Sequence, residues 1–460
     1  MSGSPSPASA VTVAAVLDTR SELRRLLVLA WPVVLGQVAV VLLGVADVIF
    51  AGRVGPEALA AISTGHIWGF GTLILGIGLL RGLDPLFSQA WGAGDTAAEA
   101  AHLRRGLVLA AAAAVPVIAA HLFAAPGLLW LRQPAAVIPL AAEYCAVVSL
   151  GVLPAFAFAA VAGFLQGRGD MKPPAVALGV ANVVNLIGNA VLVFGVDLGP
   201  LGAVPAMGAI GCAWATTVSR FATLGTLLFL AAPTLRALPA TPGWARPAAF
   251  APLLRIGLPV SLQTGFEVWA FSAAGVMMGM LGAVEVAAHA VAINIASLTF
   301  MVPFGLGAAA STRVGNLIGA GHAWARAAGV AVATGAAFMA VMAAVLTAGA
   351  VPLARLFTPD PATIAVAALL LPVAGAFQLF DGVQAVAFGV LRGVGDTRAP
   401  AVVNLIGYWG LGLPLAWWWG VERGGGPVAI WAGLALGLAA VAAMLLVRVR
   451  MVAQRGAARL

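Results

Sequence analysis

The amino-acid sequence predicts an all-α integral membrane protein with twelve transmembrane helices, arranged as two six-helix bundles in a parallel repeat. Three observations lead to this fold class. Hydrophobic residues make up 62% and charged residues only 9% of the chain, with a mean hydropathy of +1.04, far from the balance of a soluble domain. The apolar residues form runs long enough to cross a bilayer. A polar motif at the end of one such run in the second half also occurs in the first half.

The apolar runs are bounded by charges or by Gly/Pro clusters and give the twelve spans. They start near residues 26, 60, 106, 138, 174, 206, 251, 286, 327, 362, 399 and 428. With the N-terminus inside, the outer loops carry only four of the 24 basic residues, namely Arg53, Arg132, Arg355 and Arg423. The positive-inside rule therefore predicts a multi-pass protein of the cell (inner) membrane with both termini in the cytoplasm.

The repeat relates GFLQGRGDMKPPA in the first half to GVLRGVGDTRAPA in the second. Asp170 and Asp396 in these motifs have nearly the same separation along the chain as Pro32 and Pro259. Because each half has an even number of spans, both halves run the same way through the membrane, related by an axis along its normal. We expect the following segments: a cytoplasmic tail (1–25), a bundle (26–232), a cytoplasmic linker (233–250), a second bundle (251–450) and a cytoplasmic tail (451–460).

Several classes of function are disfavoured. The sequence has no GxxxxGK[ST], HExxH, GxSxG or GxGxxG match, so we expect neither an enzyme nor a cofactor. The formal charge of +8 is spread singly over loops and does not predict a nucleic-acid partner. Cys145 and Cys212 lie in apolar runs without metal-ligand spacing, which is typical of small packing residues.

An intramembrane acid is the strongest functional signal. Asp381 is the only formally charged residue from Pro361 to Leu391 and lies roughly 15 Å along a helix from Arg392, near the bilayer midplane. An ionised acid at that depth costs on the order of 3 kcal/mol or more unless a cation, a proton or a polar cavity compensates it. Its position therefore predicts function.

Glu267 is a second acid at a similar depth, about 18 Å of helix from the inner end of its span. Two acids in one half can share one cation, and their burial and mutual repulsion favour a proton on one of them. Gln263, Gln378 and Gln384 lie about one helical turn from these acids and provide secondary polar contacts. The alternative is a structural hydrogen bond between helices.

Six fragments, three in each half, together resemble one known family. They are DVIFAGRVGPEALAAIS (47–63), LDPLFSQAWGAGD (83–95), GFLQGRGDMKPP (163–174), FEVWAFSAAGVMMGMLG (266–282), AAHAVAINIASLTFMVPFGLGAAASTRVGNLIGAG (287–321) and LFDGVQAVAFGVLRGVGDTRAP (379–400). The chain resembles the multidrug and toxic compound extrusion (MATE) family, and most of all its NorM-like branch. This resemblance implies a cation-coupled exporter, with Glu267 and Asp381 facing one cavity.

The resemblance also implies that Asp47 is the coupling acid of the first half. Asn185, Asn189 and Thr216 would complete a Na⁺ site with it, and Glu267 with Asp381 would form another. The position of Asn189 is an Asp in some relatives, and the amide removes a proton carrier. The alternative for these asparagines is hydrogen bonding between helices.

One further departure concerns the second half, where Phe377 replaces a Tyr that some cation-coupled relatives have four residues before Asp381. Phe377 has no oxygen to offer Na⁺, so the coupling ion stays open between H⁺ and Na⁺.

Three more charges lie inside or near spans. Arg81 and Asp84 are three residues apart near the inner end of span two, where they can neutralise each other in a gating or structural role. Arg220 lies within span six and needs an acid partner that the sequence does not identify.

The sequence thus predicts a secondary antiporter that exports cationic or amphipathic organic compounds in exchange for H⁺ or Na⁺ by alternating access. Its expected partners are small organic cations and the lipid bilayer, and we expect a monomer. A lipid-linked precursor flippase of the same general fold is the nearest alternative, although the identified cleft groups are acidic where a pyrophosphate would need basic ones. A membrane-embedded enzyme would need a nucleophile, metal or acid/base cluster near an interface.

Overall fold

The computed structural model describes residues 18–197, 199, 202–456 and 459–460, so most of the expected N-terminal tail lies outside the described residues. Eleven described helices are long and apolar enough to cross a membrane. A twelfth span is a pair of shorter helices, Ile138–Ser149 and Val152–Gly167, that meet at a bend of 46°. Pro154 explains the bend, because it has no N–H to continue the helical ladder across the break. The twelve-span architecture is confirmed.

The described part of the first half contains nine α-helices and a two-stranded antiparallel hairpin. Their bounds are α1 Thr19–Val54, α2 Pro56–Arg81, α3 Asp84–Gly92, α4 Thr96–Leu122, α5 Ala124–Trp130, α6 Ile138–Ser149, α7 Val152–Gly167, α8 Lys172–Phe194, β1 Val196–Asp197, β2 Ala203–Val204 and α9 Ala209–Arg236.

The second half is also helical, and it begins after a 3₁₀ turn at Pro247–Phe250. Its α-helices are α10 Ala251–Leu281, α11 Ala283–Gly319, α12 Ala325–Ala348, α13 Ala350–Arg355, α14 Pro361–Val394, α15 Arg398–Asn404, α16 Leu413–Ala416 and α17 Gly426–Arg455. Segments Leu405–Gly412 and Trp417–Glu422 are wound as π-helix and flank α16. We refer to the continuous helix Arg398–Glu422 as span eleven.

The expected span starts agree with the helix starts to within three residues in the second half and less well in the first. The largest difference is at α4, which starts at Thr96 where the apolar run predicted residue 106. The Asp95 side chain accepts a hydrogen bond from the Ala98 amide at 2.9 Å and so caps the helix. The extra turns are polar, and hydropathy alone does not reveal them.

The two halves meet through contacts that repeat with the period of the sequence. The Gln89 side-chain amide donates to the Gly393 carbonyl at 3.0 Å, and the Asn316 amide donates to the Gly167 carbonyl at 2.9 Å. Gln89 and Asn316 occupy equivalent positions of the two repeats, and so do the two acceptor glycines. The same bond is therefore made twice, once from each half to the other.

Glycines allow the backbones to come this close. A Cβ added at Gly92 would lie 2.1 Å from the Asn316 carbonyl oxygen, and one added at Gly319 would lie 2.0 Å from the Gln89 carbonyl oxygen. Gly92 and Gly319 are again equivalent positions of the two repeats. Any larger residue at either position would force the halves apart.

A further close approach between the halves lies at the same end of the molecule, and another lies about 21 Å along α11 from Gly319. An added Cβ at Gly82 would lie 2.2 Å from Gly257 Cα, and one at Gly305 would lie 2.5 Å from a Val34 methyl group. We call the end of the molecule that contains Gly82, Gly92 and Gly319 the closed end. Further along the helices, an added Cβ at Gly44, Gly52 or Gly71 would meet no atom within 4 Å. The halves are therefore joined at one end of the bundle.

The segment that connects the halves is held against α4. Arg104 donates to the Pro239 carbonyl at 2.9 Å and to the Thr241 hydroxyl, and Arg105 donates to the Trp244 carbonyl at 2.7 Å. This connection therefore runs along the surface of the closed end.

The packing of α11 on α14 yields a prediction about stability. An added Cβ at Gly389 would lie 2.0 Å from the Gly307 carbonyl oxygen. We expect Gly389→Val to destabilise the protein by about 1–3 kcal/mol through overpacking, measured by thermal unfolding in detergent. Gly329→Val is the matched control, because Gly329 is exposed on α12 with no atom within 4 Å of an added Cβ. Equal losses in both variants would contradict the prediction.

Candidate functional site

Glu267 and Asp381 come together inside the second half, on α10 and α14. Glu267 is partly exposed, whereas Asp381 is buried, with 6% of its surface accessible. The two carboxylates lie within range of mutual electrostatic repulsion. The Gln384 side-chain amide approaches the Glu267 carboxylate at 3.4 Å, at the outer limit of a hydrogen bond.

Span eleven contributes two residues that the sequence analysis missed. Tyr408 is fully buried beside Gln384, and its hydroxyl has no hydrogen-bond partner. Asn404 is also fully buried and lies next to Glu267, without a hydrogen bond of acceptable geometry. Tyr408 lies within the first π-helical segment, and such segments are frequent at functional sites. The sequence signal for Tyr408 was that it is a polar residue in an apolar span and one of only two tyrosines in the chain.

Polar atoms without partners are concentrated around these two acids. In the described part of the second half they are Gln378 Oε1, Asp381 Oδ1, Gln384 Oε1, Asn404 Oδ1 and Nδ2, and Tyr408 Oη. Buried polar atoms in folded proteins are nearly always paired, so this cluster is a candidate binding site. Carboxylate, amide and phenol oxygens suit a hard cation such as Na⁺, and the adjacent carboxylates suit a shared proton.

The remaining predicted residues of this half have other surroundings. The Phe377 ring packs edge-on against Phe271 and Trp431, with centroids 5.8 and 5.6 Å away. The Gln378 amide donates to the Ala296 carbonyl at 3.0 Å and so ties α14 to α11. Gln263 lies on α10 one turn before Glu267 and is partly exposed. Of the three predicted glutamines, only Gln384 therefore contacts an acid.

Asp47 is buried in the first half, and its carboxylate accepts hydrogen bonds from the three side chains that the resemblance associated with it. Oδ1 accepts from the Asn189 amide at 2.8 Å and from the Asn185 amide at 3.2 Å. Oδ2 accepts from the Thr216 hydroxyl at 2.6 Å. These donors come from α8 and α9 and face α1, so three helices build the site.

The two acidic sites thus differ in how their carboxylates are satisfied. The Asp47 carboxylate is surrounded by N–H and O–H donors, so both of its oxygens have hydrogen-bond partners. A cation at Asp47 would first have to turn the amides of Asn185 and Asn189 so that their oxygens face it. The neighbouring Asn182 amide donates to the Ala39 carbonyl at 2.9 Å and holds two helices together.

The charged residues near span ends pair differently from the prediction. Among the described residues, the Asp84 carboxylate forms its ion pair with Arg392 of the other half, at 3.4 Å. The Arg81 guanidinium lies over the Phe304 ring, 4.4 Å from its centroid. These contacts cross between the halves at the closed end, which distinguishes them from a pair within one helix.

Arg220 donates to the Val148 carbonyl at 3.3 Å, so its described partner is a backbone oxygen.

A buried ion pair at the closed end was not predicted. Arg313 on α11 binds both carboxylate oxygens of Glu22 on α1, at 3.0 and 2.5 Å, and both side chains are at most 2% exposed. The pair joins the first turn of α1 in one half to the last turns of α11 in the other.

Comparison with known proteins agrees with this architecture. The MatE family profile matches residues 32–191 and 259–418, one segment in each half. A probable multidrug resistance protein NorM from Mesorhizobium japonicum is 36% identical over 442 residues, which cover 93% of this chain and 94% of that protein. Multidrug resistance protein PmpM from Pseudomonas aeruginosa is 34% identical over 458 residues, covering 95% and 93%.

Solved structures share the fold. One is described as the outward-facing conformation of a multidrug resistance MATE family transporter and aligns with a TM-score of 0.85 over 97% of this chain and 98% of that one, at 20% identity. The eukaryotic MATE transporter AtDTX14 aligns with a TM-score of 0.84 at 21% identity, covering 95% and 99%. The repeated profile match, the sequence relatives and the shared fold together establish that this chain belongs to the MatE family.

Proposed function

We propose that this protein is a multidrug efflux transporter that exports cationic or amphipathic organic compounds in exchange for H⁺ or Na⁺. The observation that carries the proposal is the pair Glu267 and Asp381, surrounded by buried oxygens without partners. The names of the sequence relatives as multidrug resistance proteins support the same activity. We propose that the protein carries out transport without enzymatic chemistry.

Coupling follows from what the two carboxylates can bind. A proton or Na⁺ at Glu267 and Asp381 relieves their mutual repulsion, and Gln384, Asn404 and Tyr408 supply further oxygens. A cationic drug competes for the same negative charge. The ion changes the direction of opening only to the extent that it binds the two arrangements of the halves with different affinity.

Alternating access requires that the closed end open. The contacts that would have to separate are the paired amide bonds of Gln89 and Asn316 and the ion pairs of Glu22 with Arg313 and of Asp84 with Arg392. We propose that the closed end faces the cytoplasm of a cell (inner) membrane, because both described chain ends and most arginines lie there. The Asp47 site acts as a second coupling site in this scheme.

A lipid-linked precursor flippase remains the second candidate because it shares the general fold. It would need basic groups to hold a pyrophosphate, and the described cluster in the second half is acidic. Transport of ethidium separates the two candidates.

We expect Glu267→Gln and Asp381→Asn each to abolish ion-driven ethidium efflux from loaded proteoliposomes while the protein stays folded. Both substitutions keep the side-chain size but remove the charge that binds the ion. Glu143→Gln is the control, because Glu143 is an exposed acid on α6, and it should retain efflux. Full efflux by both site variants would contradict the coupling role.

The coupling ion is tested by imposing a proton gradient and a sodium gradient separately on the same vesicles. We expect at least one gradient to drive ethidium efflux, and the variants Glu267→Gln and Asp381→Asn to lose that response. Efflux under neither gradient would reject antiport, and ethidium movement without any gradient would indicate a passive channel.

Tyr408→Phe removes one unpartnered hydroxyl but keeps the ring that packs 5.9 Å from Phe271. We expect the apparent affinity for the coupling ion to fall about fivefold, the equivalent of one ligand bond of ~1 kcal/mol. The ion dependence of efflux measures this change, and thermal unfolding checks that the variant is folded. An unchanged ion dependence would exclude the hydroxyl from the site.

The Glu22–Arg313 pair allows a test of the closed end. We expect Glu22→Gln to cost about 3–5 kcal/mol in thermal unfolding, because it leaves Arg313 buried without this acid. The double variant Glu22→Gln with Arg313→Met should recover much of that loss. Asp95→Asn, which weakens an exposed pair with Arg459, should change stability by no more than about 1 kcal/mol. A small effect of Glu22→Gln would show that the pair is dispensable.

A further inference from the structure

A groove of about 720 Å³ lies on the flank of the molecule, between the first half and the second. One wall is α1, and the opposite wall is formed by Val302 and Leu306 of α11 with Thr334 and Phe338 of α12. The helices meet near Gly305, where an added Cβ would lie 3.3 Å from the Ala30 carbonyl oxygen. Both halves of the molecule therefore contribute to the groove.

The α1 wall has an amphipathic stripe that runs away from the closed end. Arg20 and Arg24 lie one turn apart at its start, and Leu27, Trp31 and Leu35 continue along the same face. All five side chains are exposed. The groove therefore has a basic mouth and an apolar interior.

The charge at the mouth is not neutralised by the acids nearby. Glu22, between the two arginines, points the other way and is bound by Arg313. Hydrogen bonds from the Ser21 hydroxyl and from the Ser21 backbone amide, the latter at 2.9 Å, lower the pKa of Asp18 below its ordinary value, and Arg326 attracts its carboxylate as well. Among the described residues, neither Arg20 nor Arg24 forms an ion pair with an acid.

The dimensions of the groove match one leaflet of a bilayer. The helix rises roughly 16 Å from Arg24 to Leu35, and half of a hydrocarbon core is roughly 15 Å thick. The groove thus has arginines at headgroup depth and an apolar channel of this length beneath them. This arrangement matches the charged headgroup and the apolar chain of a phospholipid.

We propose that this groove binds an anionic phospholipid of the leaflet at the closed end, with its phosphate between Arg20 and Arg24 and an acyl chain along Trp31. The proposal goes beyond the transport function, because it assigns a lipid site outside the cluster of Glu267 and Asp381. Anionic lipids are the bilayer component that complements two unpaired arginines.

Such a lipid would also favour the closed arrangement. The two walls of the groove belong to different halves, so the groove keeps its shape only while α1 stays beside α11 and α12. A ligand that binds one arrangement more tightly increases the population of that arrangement. Anionic lipid therefore acts as a regulator of the opening of the closed end.

The test uses the full chain in nanodiscs that contain phospholipids brominated on the acyl chain, which quench nearby tryptophan fluorescence. The chain has 13 tryptophans, so the Trp31 signal is taken as the difference between the wild type and Trp31→Phe. We expect brominated phosphatidylglycerol to quench this signal at lower mole fraction than brominated phosphatidylcholine. Two arginines near an anionic headgroup account for a preference of up to roughly 30-fold.

Arg20→Gln with Arg24→Gln should remove this preference. Arg450→Gln with Arg455→Gln is the matched control, because it removes the same charge from exposed positions near the end of α17 and should leave the preference intact. Equal quenching by both lipids in the wild type would overturn the proposal, as would an equal loss in both double variants, which would indicate general surface attraction. A preference that persists without Arg20 and Arg24 would also overturn it. None of these readings depends on transport, so failure of efflux would leave the lipid test unaffected.

Discussion

The close approach of two glycine-lined backbones at the closed end is the constraint on which the rest of the architecture depends. The halves can touch there only because Gly92 and Gly319 lack side chains, so that the Asn316 and Gln89 carbonyl oxygens fit against them. Amide bonds to Gly393 and Gly167 then fix the register in both directions. Once this end is fixed, the acidic sites lie further from it, one in each half, and the lateral groove forms where α1 passes α11.

The two halves carry acids in opposite chemical situations. Asp47 has three hydrogen-bond donors at 2.6–3.2 Å, so both of its carboxylate oxygens already have partners within the protein. Asp381 has an oxygen without a partner and a second carboxylate nearby. Unsatisfied buried groups are unfavourable until something binds them. In the proposed antiport, the second half is therefore where an arriving proton or cation would gain the most free energy, although both halves contain the same repeat.

The sequence was sufficient for features that depend on one segment at a time. Most span starts and the parallel repeat follow from hydropathy and spacing, whereas the depth of Glu267 and Asp381 in the bilayer stays a prediction. The α4 start was misjudged because its first turns are polar. The partners of Asp84 and Glu22 could not be predicted, since Arg392 and Arg313 lie in the other half of the chain and reach them only through the crossing of the halves. Tyr408 and Asn404 were missed for a similar reason: local sequence does not tell which side of span eleven faces α10. The roles of all these site residues stay predictions.

The paired amide bonds at the closed end also bear on how a duplicated gene can diverge. Their acceptors are main-chain carbonyl groups, which every amino acid possesses, so the acceptor side imposes no demand on residue identity beyond small size. Gln89 and Asn316 already differ in length and still make equivalent bonds. Each half could therefore change elsewhere, around Asp381 in the second half and around Asp47 in the first, without losing the hydrogen bonds that join the two halves.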